Sequence, residues 1–366
     1  MKFIYSRWTD QSLTDEQRLE KLFSLFSYIL LQTNGEVNEA LDWLRQLDEK
    51  YDLFDEKFSF GEFIDKLKEK GYIEDSEGIY ILRSQGAIRV RQDAFKEIFS
   101  NLKKSGDGLH ETPLSGGGVE RNGQTKKYQF GDLPTNIDPT QTLSNVFKRE
   151  GIEDFNLQEA DIEIYETEHQ TTCSTVLLID ISHSMILYGE DRITPAKQVA
   201  LALSELILTK YRKDSLNIVL FGDEAKEVSV TDIPFISVGP FHTNTKAGLE
   251  VGRHILRRKK STNKQIFMIT DGKPSAIFEN QGSKRLYKNS FGLDPRIVNK
   301  TLDEAVACRR EKIKITTFMV AQDPYLVDFV QEFTKANNGK AYYSSLNELG
   351  EHIFVDYFKN KNRLED

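Results

Sequence analysis

Oxygen side chains follow one apolar run of this chain at a fixed spacing. In the stretch "LLIDISHSM", Asp180 is followed by Ser182 two positions later and by Ser184 four positions later. A carboxylate and two hydroxyls are hard ligands of the kind that bind a hard divalent cation. A lone D-x-S-x-S pattern occurs by chance, so further ligands must come from elsewhere in the chain.

A second acid is predicted to reach the same place. The apolar run "STVLLID" ends in Asp180, and the run "KQIFMITD" ends in Asp271. In an open doubly wound sheet, ligands bind beyond the carboxyl ends of the strands, where the winding reverses. If the strand order is the common 3-2-1-4-5-6, the reversal lies between the first and fourth strands, which are these two runs. The two carboxylates would repel each other unless a cation lies between them.

The loop "HTNTKAG" adds hydroxyls from Thr243 and Thr245. Oxygen ligands with few charges and no thiolates favour Mg²⁺, with Mn²⁺ as a substitute. Because Mg²⁺ takes six oxygens, the side chains of this site would leave positions for water or for an oxygen of another molecule.

The strands and helices that must position these loops are predicted to alternate along the chain. From about residue 151, apolar runs alternate with segments of helical periodicity, and "AKEVSV" is expected to pair as an edge strand. This alternation predicts an α/β fold, a doubly wound and mostly parallel sheet with covering helices. We assign this domain to residues 151–366.

The front of the chain differs in character. Residues 1–104 are predicted to form a smaller, mainly helical domain, because segments such as "EQRLEKLFSLFSYILLQ" have apolar residues at helical spacing. In "GIYILRSQGAIRVR" we predict two β-rich runs around Gln85 and Gly86, which would make a winged-helix-like hairpin. A helical docking domain with a stabilising hairpin is the preferred interpretation, since the segment carries no motif for contacting bases in a DNA groove. Residues 105–150, rich in Gly and Pro, are predicted to be a linker.

The composition of the chain argues against several classes of protein. The net charge of -8 argues against a general nucleic-acid binder. Neither a membrane span nor a secretory signal is found in the sequence. With Cys173 and Cys308 as the only cysteines, a disulfide scaffold or a cysteine zinc site is not expected. These features predict a cytoplasmic, soluble protein.

A basic cluster lies near the end of one predicted helix. It comprises Arg253, Arg257, Arg258, Lys259 and Lys260. Cations there complement the helix dipole, which is the preferred interpretation. A patch that docks nucleic acid or an ATPase is the alternative.

The three ligand segments, in this order, resemble the metal-ion-dependent adhesion site of a von Willebrand factor A (vWA) domain, over roughly residues 160–366. The resemblance implies that Ser182 and Ser184 bind the metal directly, and Asp180 and Asp271 directly or through water. It implies Thr243 as the ligand of the engaged site, with Thr245 as the alternative or as a helix cap. A glutamate or aspartate of a protein partner would fill the open position.

The opening "YSRW", the helical front and the C-terminal A domain are similar to bacterial cytoplasmic proteins of this family. The resemblance implies a MoxR-type or magnesium-chelatase-like AAA+ ATPase as partner, with the chain acting as an adaptor or substrate recruiter. No membrane partner is implied, and nucleic acid is not expected.

Catalysis is not predicted. Aspartate-nucleophile phosphatases need a second acid two residues after the first, and Ser182 occupies that position. No serine–histidine–acid set or glycine-rich cofactor motif is visible. Two alternatives stay open: a nucleic-acid-associated regulator that uses the winged-helix-like unit, and a metal-dependent phosphohydrolase.

Overall fold

The structure is a computed structural model of the 366-residue chain. It describes residues 15–55, 58–104, 120–129, 137–151, 156–168, 172–189, 191–271, 273–280, 284–289, 291–320, 324–343 and 349–361. The described residues between 15 and 104 pack with those between 173 and 361 in one compact unit, and those between 120 and 168 form a second unit.

The front of the chain is helical, as the apolar spacing predicts. Three helices come first: α1 (Asp15–Gln32), α2 (Val37–Tyr51) and α3 (Phe60–Glu69). The apolar residues of α1 at helical spacing are buried, among them Leu22, Phe23 and Leu30. Helix α3 begins with a capping box, in which Ser59 and Glu62 satisfy each other's backbone N–H groups.

A hairpin follows the helices, but not at the predicted turn. Strands β1 (Ile73–Ser76) and β2 (Ile79–Leu82) pair antiparallel, and residues 84–104 form the long helix α4 (Ser84–Lys104). The turn lies at Glu77 and Gly78, both with positive φ. The second β-run that we expected after Gln85 is therefore wrong. The spacing of the buried Val90 and Ala94 is helical, and this period decides the structure there.

The second compact unit occupies much of the segment that the sequence predicted to be a linker. Strand β3 (Glu120–Lys127), helix α5 (Pro139–Glu150) and strand β4 (Glu163–Glu168) belong to it, and β3 pairs antiparallel with β4. Asp138 caps α5 with its carboxylate. The polar sequence of β3 lacks the apolar alternation that would have indicated a strand. The observed boundaries thus differ from those that we assigned to residues 105–150 and 151–366.

The remaining elements form the predicted α/β fold. Its strands and helices are β5 (Cys173–Asp180), α6 (Ile193–Lys210), β6 (Ser215–Phe221), β7 (Ala225–Val228), α7 (Thr245–Arg257), β8 (Asn263–Thr270), β9 (Ala276–Asn280), β10 (Lys284–Lys288), α8 (Pro295–Arg310), β11 (Ile313–Met319), α9 (Pro324–Asn337), β12 (Lys340–Tyr343) and α10 (Leu349–Lys361). The main sheet has the order β12-β11-β8-β5-β6-β7. Its pairs are parallel except for the antiparallel edge strand β7. The order matches the predicted 3-2-1-4-5-6 read from β7, so the winding reverses between β5 and β8.

Two apolar cores cover the two faces of this sheet. On one face, Val176 and Leu178 of β5 pack with residues of α7, α8 and α9. On the other face, Leu177 and Ile179 pack with α6 and α10, and this core continues into the N-terminal helices. Helix α6 is buried on nearly all sides because it lies between the sheet and the N-terminal helices.

A buried lysine lies where α6 meets the N-terminal helices. Lys197 is fully buried, and its Nζ donates to Leu31 O at 3.0 Å and to Asn34 Oδ1 at 2.8 Å. Pro234 O is 3.5 Å from the same nitrogen. Burial lowers the pKa of Lys197 to about 8. The amine thus joins the turn after α1 to the helix that follows the "DISHS" loop.

None of the described helices combines the length and the hydropathy that a bilayer crossing requires.

Candidate metal centre

The first candidate ligand stands at the end of a buried strand. Strand β5 is buried along its whole length between β6 and β8, and it ends in the fully buried Asp180. The Ser182 N–H donates to Asp180 Oδ1 at 2.9 Å, and the Thr270 hydroxyl donates to Asp180 Oδ2 at 2.7 Å. These two hydrogen bonds therefore fix the orientation of the Asp180 carboxylate. Sequence reasoning did not single out Thr270 for this role.

Three hydroxyls meet beside this carboxylate. Ser182 Oγ and Ser184 Oγ are 3.1 Å apart, and Thr243 Oγ1 donates to Ser182 Oγ at 3.0 Å. Ser182 and Thr243 are buried, and Ser184 is partly exposed. Thr245 is the first residue of α7, which Asn244 caps through its side chain. The structure thus brings Thr243, rather than Thr245, into the hydroxyl cluster.

Asp271 follows the last residue of the neighbouring strand β8. Its side chain is buried, and no donor among the described residues reaches its Oδ1. A buried carboxylate oxygen without a partner costs free energy, and a bound cation is one way to offset that cost. This oxygen is the most direct structural indication that the site is suited to a cation.

Burial and mutual proximity disfavour the ionised forms of Asp180 and Asp271. Burial, and then the charge of Asp271, raises the pKa of Asp180 to about 7. Burial also raises the pKa of Asp271, although a hydrogen bond from Ser184 and the charges of Arg192 and Lys273 oppose that rise. Two buried acids that resist ionisation form an environment in which a divalent cation would be favoured.

The donor set consists of two carboxylates and three hydroxyls. Within the described ranges, no group of three or more His, Cys, Asp or Glu side chains could hold a metal. A thiolate or imidazole site of the zinc type is thus not found there. Oxygen donors with few charges are the set that Mg²⁺ and Mn²⁺ prefer, so the residues fit the expected ion. Metal binding by this set stays a prediction.

Main-chain hydrogen bonds tie the ligand loops to each other. The His183 N–H donates to Phe241 O at 3.1 Å, which joins the Ser182 loop to the Thr243 loop. The Thr243 N–H donates to Ser275 Oγ at 2.9 Å, and the Ser275 N–H returns a bond of 2.9 Å to Thr243 O. Ser275 thus holds Thr243 from the loop that follows Asp271, a role that the sequence did not reveal.

We expect Ser275→Ala to weaken both the loop and the site. The Thr243 N–H would lose its acceptor, which costs about 1–3 kcal/mol for a buried donor. Calorimetric titration with Mn²⁺ should show weaker uptake, and chemical denaturation should show a lower free energy of unfolding. Ser204→Ala is the matched control, because that buried hydroxyl donates only to Ala200 O of its own helix. Wild-type values in both measurements would contradict a positioning role for Ser275.

Within the basic cluster, Arg253 has structural partners. Arg253 of the basic cluster pairs with Glu304 and Glu311, at 2.5 and 2.7 Å. It therefore joins α7 to the end of α8. Arg257 and Arg258 at the end of α7 are exposed.

A family model described as the vWA domain of Rv0959-like proteins matches residues 173–358, just over half of the chain. The chain belongs to the Rv0959-like family. A second model, for the third domain of Rv0959-like proteins, matches residues 120–167, which correspond to the second compact unit. The predicted vWA fold is thus confirmed.

The curated relatives of this Rv0959-like chain are longer than the chain itself. It is 28% identical over 308 residues to the uncharacterized protein Rv0959 of Mycobacterium tuberculosis, covering 81% of this chain and 44% of the relative. The uncharacterized protein Mb0984 of Mycobacterium bovis matches with the same figures. The chain thus spans less than half the length of the curated relatives it matches.

Solved structures of low sequence identity match part of the chain. A mutant PilB minor pilin from Streptococcus sanguinis is 14% identical, with a TM-score of 0.47 over 56% of this chain and 65% of the pilin. The vWF domain of the pilus tip protein Mfa5 from Porphyromonas gingivalis is 13% identical, with a TM-score of 0.42 over 54% of this chain and 99% of that domain. At these scores neither structure informs the function.

Proposed function

We propose that this vWA domain is a metal-ion-dependent protein-binding module. Asp180, Ser182, Ser184, Thr243 and Asp271 would hold one Mg²⁺, or Mn²⁺ in its place. The bound ion would supply a positive charge with an open position, which a glutamate or aspartate of a partner protein would fill. The observation that carries this proposal is the buried Asp271 Oδ1, which lacks a donor among the described residues.

The surroundings of Asp180 favour binding over hydrolysis. Its two oxygens already accept hydrogen bonds from Ser182 and Thr270, and the side chain is fully buried. A carboxylate so engaged is poorly placed to attack a substrate. Ser182 lies where a phosphatase would carry its general acid, and a serine hydroxyl does not release a proton readily near neutral pH. We therefore propose that the chain is not an enzyme.

We further propose a partner and a location. The resemblance of the sequence to bacterial vWA proteins supports a MoxR-type AAA+ ATPase as partner, with this chain as adaptor or substrate recruiter. Cys173 and Cys308 are both buried as thiols, which is compatible with a reducing cytoplasm. Because α6 directly follows the metal loop and packs against the N-terminal helices, these helices are available to connect the site to a second partner.

A pull-down from cell lysate tests the proposed function. Wild-type protein should retain a complex that contains an AAA+ ATPase in the presence of Mg²⁺, and EDTA should release it. The double variant Ser182→Ala/Ser184→Ala should not retain it, whereas Ser204→Ala should. Thermal unfolding of each variant verifies that the fold is intact. Partners that remain bound after chelation, and that the double variant also binds, would contradict a metal bridge.

A further inference from the structure

Three connections between a helix and the next strand meet at the edge of the main sheet opposite the metal centre. They join α6 to β6, α7 to β8 and α8 to β11. Because β5, β6, β8 and β11 pair in parallel, their amino ends share this edge, with Ser215 opposite Ser174 and Asn263 opposite Cys173. The strand order β11-β8-β5-β6 places the three connections along about 14 Å, since neighbouring strands lie about 4.8 Å apart.

This edge carries a concentration of exposed cations and no exposed acid to neutralise them. The acids of the three connections are both engaged elsewhere. Asp214 is buried and accepts from the Tyr357 hydroxyl at 2.7 Å and from the Cys173 N–H at 2.9 Å. Glu311 pairs with Arg253 at 2.7 Å. We define the basic edge as the exposed cations at the helix ends and on the connections: Lys210, Arg212, Arg257, Arg258, Lys260, Arg309 and Arg310.

The helix dipole accounts for some of these cations but not for their number. One or two cations in the last turn of a helix complement the partial negative charge there, and Arg258 Nε also donates to His254 O at 3.3 Å. The ion pairs among the described residues involve no member of the basic edge. Like charges gathered in this way repel one another, and an anionic partner would offset that repulsion.

The surroundings of the basic edge favour a short acidic segment of a protein over a nucleic acid. The one aromatic residue on the three connections, Tyr211, packs on the ring of Tyr357 with 5.9 Å between centroids, so none is presented for stacking on bases. The chain has a net charge of -8 despite the basic edge, so its remainder is strongly acidic. A nucleic acid that extends past the edge would meet this negative charge. An extended segment of about four or five residues would stay within it, at about 3.3 Å for each residue.

We propose that the basic edge binds a short run of glutamates and aspartates on the surface of another protein. The guanidinium groups of the five arginines would bind the carboxylates through paired hydrogen bonds, and the two lysines would add positive charge. Because the basic edge and the metal centre lie at opposite ends of the sheet, this interaction needs no metal ion. It would give the domain a second binding surface beyond the proposed function of the metal centre.

Titration of the full chain with labelled peptides tests the proposal. The probe carries a short run of glutamates, and the reference peptide carries glutamines in their place. Both are measured in EDTA, which keeps divalent ions from the metal centre. We expect fluorescence anisotropy to show binding of the glutamate peptide alone, with an affinity that falls as the salt concentration rises. A duplex DNA of about two helical turns should bind more weakly than this peptide in the same buffer.

A fourfold charge-removing variant locates the binding surface. We expect its affinity for the glutamate peptide to fall at least about tenfold, because several exposed charge pairs of modest individual strength are lost together. The control variant removes the same charge from exposed positions elsewhere and should bind like the wild-type protein. Thermal unfolding of both variants verifies that the fold is intact. The two sets of substitutions are Arg257→Gln/Arg258→Gln/Arg309→Gln/Arg310→Gln for the basic edge and Lys50→Gln/Lys226→Gln/Arg285→Gln/Lys300→Gln for the control.

Several outcomes would overturn the proposal. Equal binding of the glutamate and glutamine peptides would do so, as would equal loss of affinity in both variants. Tighter binding of duplex DNA than of the glutamate peptide would assign the basic edge to nucleic acid instead. If the arginine variant does not fold, the comparison of the three probes on the wild-type protein still decides. Because every measurement is made in EDTA, none of these results bears on the proposed function of the metal centre.

Discussion

Asp271→Asn is expected to stabilise the metal-free protein while removing most of its metal affinity. At a pH above the Asp180 pKa of about 7, the wild-type protein buries two neighbouring carboxylates. Asparagine keeps the shape of the side chain and removes the repulsion between the two charges, so we expect the metal-free variant to be more stable by on the order of 1 kcal/mol. Because the same charge would attract the cation, we expect Mn²⁺ affinity to fall about 100-fold or more, as for loss of a charged ligand.

Denaturant unfolding in EDTA and in Mn²⁺ measures both parts of this prediction. In EDTA the variant should have the higher free energy of unfolding. In Mn²⁺ the wild-type protein should have the higher free energy of unfolding, because it binds the ion more tightly. Asp303→Asn is the matched control, because it removes the same charge from an exposed position on α8. A variant that is destabilised in EDTA would contradict the proposed repulsion between Asp180 and Asp271, and an undiminished response to Mn²⁺ would contradict the ligand role.

Lys197→Met is expected to change how stability depends on pH. The pKa of Lys197 is lowered to about 8 in the folded protein, mainly by burial, from an ordinary value of 10.5. Below pH 8 Lys197 is protonated in both the folded and the unfolded protein. The burial of its charge then lowers the free energy of unfolding by the full amount. Between pH 8 and 10.5 the unfolded chain binds more protons than the folded one, so the free energy of unfolding rises with pH.

The size of this effect follows from the shift. The wild-type protein should gain about 3 kcal/mol relative to the methionine variant as the pH rises through that window, since each pKa unit is worth about 1.4 kcal/mol. Urea unfolding of both proteins across the window measures the difference. Lys210→Met, at an exposed position of the same helix, is the control. A difference between wild type and Lys197→Met that does not change with pH would show that the buried amine keeps an ordinary pKa.

The sheet and its winding could be predicted because local patterns determined them. The continuous apolar runs of β5 and β8 have the lengths of buried strands, and alternation with helices implies parallel pairing. Once the order was assumed, Asp180 and Asp271 had to meet at the reversal point. The structure brings them together with Ser182 and Thr243, as the sequence predicted, although metal binding itself stays a prediction.

Other features depend on contacts that are distant in sequence. Strand β3 is polar, and its partner β4 lies about 40 residues further along the chain, so no local pattern indicated the pair. The hairpin of β9 and β10 and the contact of Ser275 with Thr243 likewise follow from the folded loop rather than from a motif.

The wide apolar face of α6, in contrast, was visible in the sequence and indicated its burial. A helix that is apolar nearly all round must be covered on both sides.

Calorimetric titration of the purified chain with Mn²⁺, repeated in excess Mg²⁺, tests whether the five oxygen side chains bind an ion. We expect one Mn²⁺ site per chain, competed by Mg²⁺ and lost in Ser182→Ala/Ser184→Ala but kept in Ser204→Ala. A folded wild-type protein that takes up neither ion, or whose uptake is unchanged by the double substitution, would contradict this expectation.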